Sequence, residues 1–489
     1  MNRLHKSKDH ILLIGLYAIA ILAQYLVKDH AFFWDTVQLA SKQAHWYYEN
    51  EFNHLLLPTV FDSGHPPTFG MYLAVLWQIF GQSLAVSHFA VLPFSLASIF
   101  FLKKLGDFFF PSEQIGAFLP LLMLVDPTFA AQNILVSPDT VLMSAFFAGI
   151  YAVVKEKKWL LVLAALVLAM ISIRGMMVVV VLYVLQIYHN RITQNRRLTL
   201  RLLWQSSLVF VPAGLLALAF LLYHYQQKGW IAYHEDSPWA ASFEKVGWQG
   251  FLKNIGLYIW RMLDFGRVFV LLILSVLLIQ FRRQWKTDQN FNYLLVLLVA
   301  SVLLLSPSLL IHKYLLAHRY LLPIYFVCSL GALYLLFRFV ARQWQMPIYG
   351  LLFLGLLTGN LWIYPPKIAQ GWDATLAHLP YYQLATEMLD FIEKEAIPLE
   401  QIGSVFPEVG ARKYRSLNQV EAGFVQADLA QNEYIFYSNV MNDFSDEDLE
   451  ALAEDWLVVK TLQAKGVIVV LYRKTNKDDV LRSTGNLEQ

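Results

Sequence analysis

Long apolar runs separated by short clusters of Lys and Arg fill the chain up to Ile363. A run of that kind predicts a membrane-crossing helix, because an α-helix rises about 1.5 Å per residue through a hydrocarbon core about 30 Å thick. Such runs lie at Ile11 to Val27, Ala85 to Leu102, Glu113 to Ala131, Pro138 to Val154, Leu203 to Tyr223, Arg267 to Phe281, Phe291 to Leu309, Tyr320 to Val340 and Pro347 to Ile363. The basic clusters are Arg3/Lys6/Lys8, Lys103/Lys104, Lys155/Lys157/Lys158, Arg191/Arg196/Arg197/Arg201, Arg282/Arg283/Lys286 and Arg338/Arg342. Placing all of them on the cytoplasmic side requires an even number of crossings between neighbouring clusters. Pro66 to Gly81, short and opening with Pro-Pro, is then an interfacial or re-entrant helix on the outer side. Trp159 to Asn190, too long for one span, becomes a hairpin of two short helices with Arg174 at its outer tip. The expectation is an all-α bundle of about eleven transmembrane helices, N-terminus inside and C-terminus outside.

Beyond Tyr364-Pro365-Pro366 the pattern changes to charged residues interspersed with short alternating runs. Tyr381 to Glu395 has helical periodicity, Ser445 with Asp448 three residues on predicts a capping box, and Tyr434 to Tyr437 and Val467 to Tyr472 predict strands. Residues 1–363 therefore read as the membrane domain, with 28–81 its first outer loop, and 364–489 as a small soluble α/β domain on the outer side. No catalytic motif stands out in the latter, and the last dozen residues are polar and expected to fray.

Composition agrees: of 489 residues 57% are hydrophobic and 15% charged, with mean hydropathy +0.46. A net charge of +2, distributed in clusters that set orientation, gives no reason to expect nucleic acid as a partner. The single cysteine, Cys328, rules out an internal disulfide. The basic N-terminus precedes an apolar run without a small-residue cleavage site, which predicts an uncleaved first span. No internal repeat is visible, which weighs against transporters built from two similar halves.

The stretch from Lys28 to Pro67 is a long aromatic loop with Asp35 near its start and His65-Pro66-Pro67 at its end. By the same parity the outer side also carries Asp126 and Asp139, Arg174, His234/Glu235/Asp236, and His312/Lys313/His318/Arg319. Ionisable groups at membrane depth are costly unless they pair or work. Each has a plainer reading. Asp35 and Asp139 could cap helices, His65 could shape a turn, Arg174 could snorkel to headgroups, the 312–319 cluster could anchor a span, and Asp126 beside Pro127 reads as structural.

The order of WD at Trp34-Asp35, GHPPTFGMYLAVLWQIFG from Gly64 to Gly81 and VSPDTVLMSAFFAGIYA from Val136 to Ala152 resembles the GT-C glycosyltransferases. The branch it is most similar to holds the protein O-mannosyltransferases and the lipid A aminoarabinose transferase; Ile171 to Val178 and His318 to Pro323 resemble later landmarks of that branch. The resemblance implies an enzyme in a bacterial inner membrane that moves a sugar from a polyprenyl-phosphate carrier to an acceptor on the outer face, usually with inversion. It places Asp35 and Asp139 in the site as the catalytic carboxylates, and His65 and Arg174 at the carrier phosphate, with Arg319 the next candidate there. The pattern departs in that Thr36, not a second acid, follows Asp35, and Gly64-His65 replaces an acid and Lys before Pro-Pro. No cofactor is assigned, and a divalent ion on Asp35 and Asp139 stays an alternative.

Elementary chemistry asks for the same parts: cations or donors for a phosphate leaving group and a carboxylate to take the proton of an attacking hydroxyl. A glycolipid transporter or flippase is the competing class, distinguished by charged residues along a midplane path. Neither the sugar nor the acceptor (protein, lipid or glycan) is legible.

Overall fold

The structure, a computed structural model, describes residues 2–110, 116–195, 197–237, 239–365 and 368–475. The expected span start at Glu113, Arg196 of a basic cluster, Pro366 and the polar last dozen residues lie outside them. The chain divides into two compact units: Met1–Lys28 with Gln38–Asn360, and Asp29–Val37 with Leu361–Gln489.

The first unit is helical and belongs to a multi-pass membrane protein. Among the described residues, five helices are long and apolar enough to cross a bilayer: Leu84–Phe109, Ile173–Thr193, Leu200–Lys228, Gln289–Ile311 and His318–Phe339. The number rises to seven if each of two sharply bent pairs counts as one span. Those pairs are Pro127–Ile134 with Pro138–Val154, bent by 118°, and Trp248–Leu263 with Arg267–Gln280, bent by 91°. Shorter apolar helices cover Ile11–Val27, Thr68–Phe80 and Lys158–Ile171. Thr68–Phe80 has 13 residues, about 20 Å of helix, short of the hydrocarbon core.

The run from Trp159 to Asn190 is two helices, Lys158–Ile171 and Ile173–Thr193, packed on each other. They part at Ser172, whose extended backbone and hydroxyl, accepting the Gly175 N–H at 3.0 Å, start the second helix. Gly175 is required by space: a Cβ there would lie 2.0 Å from the Leu168 carbonyl oxygen.

Asp126 ties the two bends together. It caps Pro127–Ile134 by accepting the Phe129 N–H at 3.0 Å. Arg267 at the start of Arg267–Gln280 donates to it twice, from Nε at 3.0 Å and Nη2 at 2.7 Å, and to Thr128 Oγ1 at 2.8 Å. The guanidinium also lies 3.9 Å from the centre of the Tyr325 ring. The structural reading of Asp126 holds. The amphipathic helix Trp248–Leu263 was not expected; the loop-like Trp-rich stretch before it hid its start.

The second unit carries a six-stranded sheet: β1 Ile402–Ser404, β2 Gly410–Ala411, β3 Gly423–Gln426, β4 Tyr434–Ser438, β5 Trp456–Ala464 and β6 Val467–Lys474, in the order β2-β3-β1-β4-β6-β5. β1 runs parallel to β3 and β4 and the other pairs are antiparallel. Helix Pro380–Lys394 packs against β5 and β6. The expected strands and helix are present, and Ser445 and Asp448 form the reciprocal capping box of Asp446–Asp455. β5 and β6 are joined through Lys465-Gly466, both with positive φ, as a two-residue hairpin demands.

This unit also claims the segment Asp29–Val37 that follows the first apolar helix. Phe33 is fully buried, stacked on His378 at 4.8 Å and tilted against Tyr381 at 5.7 Å. The Phe32 N–H donates to the Arg415 carbonyl at 2.8 Å. His30 stacks on Tyr382 at 4.1 Å. The loop expected over 28–81 is thus divided at Val37 between two bodies.

Candidate functional site

In the first unit one pocket gathers residues from four distant parts of the sequence: Ser63, His65 and Pro66 from the loop, Pro138 and Asp139, Ser172 and Arg174, and Tyr320, with Leu39, Gln43, Phe69 and Ile171 completing its walls. Leu39 lies in a π-helical turn, Val37–Lys42, a rare geometry that often marks functional sites.

Asp139 is placed by its own helix start. Ser137 accepts the Asp139 N–H at 3.2 Å and donates to Gln132 Oε1 at 2.5 Å, while Thr140 Oγ1 donates to the Gln132 carbonyl at 2.7 Å. Pro138 at the first helical position completes the cap. The carboxylate is buried and faces two cations: Arg174 Nη2 donates to Oδ1, and Arg319 Nε lies 3.6 Å from Oδ2.

Tyr320 holds both guanidiniums from its ring face, with Cζ of Arg174 at 4.4 Å and Cζ of Arg319 at 4.8 Å from the ring centre. Arg319 Nη2 donates to the Tyr320 hydroxyl at 2.9 Å. The cluster therefore carries one net positive charge, and Arg174 keeps donors in reserve: its Nε and Nη1 are buried without a partner among the described residues. So are Ser63 Oγ and His65 Nδ1. Burial lowers the His65 ring to about 4, with Arg174 pushing the same way, Asp62 opposing and Arg319 adding to it. Without an anion beside it, these influences favour the neutral imidazole.

This arrangement suits a ligand with a compact anionic group. Planar guanidiniums offer paired donors that match a phosphate, and both lie over the Tyr320 ring. It does not suit a divalent ion at Asp139, whose carboxylate already has two cations for neighbours. No group of three or more His, Cys, Asp or Glu able to hold a metal occurs among the described residues.

The other expected site residues are not among those lining this pocket. Asp35 belongs to the second unit, where Asp443 has its carboxyl pushed up by burial and by the charge of Asp35. His318, next to Arg319, turns to Asp264 at 2.9 Å. His312 bonds the Ser308 carbonyl at 2.8 Å, and Lys313 makes a surface pair with Glu244 at 3.2 Å. Sequence reasoning missed Tyr320 and Ser63. Both adjoin residues it did single out, Arg319 and the Gly64-His65 pair, and that adjacency was the available signal.

No protein-family model matches the sequence, and no curated protein matches it either. Solved structures do match in shape. ArnT from Cupriavidus metallidurans in the apo state aligns with TM-score 0.54 and 12% identity, covering 94% of this chain and 97% of its own. The fold is that of ArnT. The same protein bound to undecaprenyl phosphate aligns with TM-score 0.53, 12% identity and the same coverage. The likeness is one of fold, and it extends over nearly the whole chain.

Proposed function

We propose that this protein is a membrane glycosyltransferase that takes a sugar from a polyprenyl-phosphate carrier and transfers it, with inversion, to an acceptor on the outer face of a bacterial inner membrane. The observation that carries the reading is the pair of guanidiniums, Arg174 and Arg319, on one carboxylate and one tyrosine ring, with two buried donors of Arg174 unpaired. The fold of ArnT, a structure of which holds undecaprenyl phosphate, supports the same ligand class. The topology that goes with it is about eleven crossings, residues 1–363 in the membrane and 364–489 outside.

In this reading the carrier phosphate meets Nε and Nη1 of Arg174, with neutral His65 and Ser63 as further donors. As the bond from the sugar carbon to the phosphate oxygen breaks, charge grows on that oxygen and the guanidinium contacts strengthen, which lowers the barrier. The acceptor oxygen forms its bond to the same carbon from the opposite side, and its proton passes to a carboxylate, which we assign to Asp35. Asp139 holds both arginines in register.

The test is consumption of a polyprenyl-phosphate sugar by the purified protein in lipid nanodiscs, with release of the polyprenyl phosphate. Arg174→Ala and Asp35→Asn are each expected to lower turnover about a hundredfold or more. An active enzyme indifferent to both substitutions would sink this assignment of roles.

A further inference from the structure

We propose that Asp62 and His224 form a positioning pair that fixes the turn delivering Ser63 and His65 to the pocket; the inference rests on reading that pocket as the carrier-phosphate site. Neither side chain lines the pocket, and both are buried, at 2% and 1% exposure.

Asp62 is engaged on every side. Its Oδ1 accepts the Gly64 N–H at 2.8 Å and closes the turn, its Oδ2 meets His224 Nε2 at 3.0 Å, and its backbone carbonyl accepts the Ser237 hydroxyl at 3.2 Å. His224 Nδ1 lies 2.9 Å from the Trp230 carbonyl, which can only accept, so that nitrogen carries a proton. A proton must also lie between Nε2 and Asp62. The couple therefore holds one proton more than a neutral ring and a free carboxylate, and behaves as a charge-assisted clamp.

Gly64 shows what the clamp achieves. Its φ is +69°, and a Cβ there would lie 2.7 Å from Cα of Ala232. The turn is pressed against the 230–232 backbone with no room for a side chain, and Ser63 and His65 flank that contact. Their unpaired Oγ and Nδ1 owe their direction to it. Prolines at 66 and 67 restrict the chain from there on.

The experiment uses the full-length protein in nanodiscs and two readouts. One is binding of undecaprenyl phosphate; the other is the rate at which diethyl pyrocarbonate modifies His65, followed by mass spectrometry, which reports ring placement whatever the protein binds. Asp62→Asn, His224→Gln and Gly64→Ala are each expected to raise His65 labelling about threefold or more and to weaken the lipid about tenfold. The double variant Asp62→Asn/His224→Gln is expected to be no worse than the worse single, since both act on one turn. Wild-type labelling of His65 in whichever of the three folds overturns the proposal, as does full additivity in the double. If Arg174→Ala leaves lipid binding unchanged, it is the reading of the pocket that fails, and His65 labelling still decides the positioning pair.

Discussion

Replacing Arg174 by Ala removes the two buried donors that face the pocket and turns the net positive charge of the arginine pair and Asp139 into zero. Asp139 keeps Arg319 at 3.6 Å, so the variant does not strand a buried carboxylate and is expected to fold. A net charge-assisted hydrogen bond contributes about 1.5–3 kcal/mol. Two at the lower end amount to about 3 kcal/mol, a loss of roughly 150-fold in affinity for the carrier phosphate. Arg174→Lys keeps the charge but offers a point donor where a fork is needed, which predicts a loss of about tenfold. The assay is equilibrium binding of undecaprenyl phosphate to protein in nanodiscs, with undecaprenol as the control for the tail. Headgroup recognition requires that both variants bind undecaprenol as the wild type does. Arg174→Ala within twofold of wild type for the phosphate would refute the reasoning.

Three further outcomes follow from the geometry. Asp126→Ala strands the Arg267 guanidinium, which is 97% buried by side-chain exposure of 3%, and removes a helix cap; thermal unfolding should show a loss of about 4–6 kcal/mol, and a loss under 1 would contradict the role given to the pair. His65 in the ligand-free protein should titrate near 4 by NMR of its ring carbons. Because its folded value lies below the ordinary 6.5, its contribution to stability is complete above about 6.5 and fades as pH falls towards 4; a midpoint at 6 or above would show that the ring is not desolvated. Phe33→Ala, at a fully buried aromatic contact, should cost about 3–5 kcal/mol, read as earlier proteolysis within 368–475, and unchanged protease resistance there would count against the docking of 29–37.

What was legible followed from local rules. Runs of apolar residues, Ser445 ahead of Asp448 and Ser137-Pro138 ahead of Asp139 each declare a helix or its start, and the structure has them. Arg174 and Arg319 were readable as cations on one side of the membrane, but their shared carboxylate and shared ring were not, because contacts between residues 139, 174 and 319 are set by packing and leave no periodic trace. The division of the first loop at Val37 was hidden for the same reason: Phe33 looks like any interfacial aromatic until Tyr381 and His378 are seen to cover it. The neutral state of His65 depends on burial and on two arginines remote in sequence.

That division has a consequence for biogenesis. The second unit is completed by a segment made early in synthesis, just after the first apolar helix, and a sheet made much later, with the other apolar helices translated in between. Until His378 and Tyr381 emerge, Phe33 lacks the rings that cover it and waits as an exposed apolar side chain, a condition under which chaperones bind. The second unit therefore matures only after the long apolar helices have been made, and a block in synthesis upstream of His378 leaves that segment unprotected.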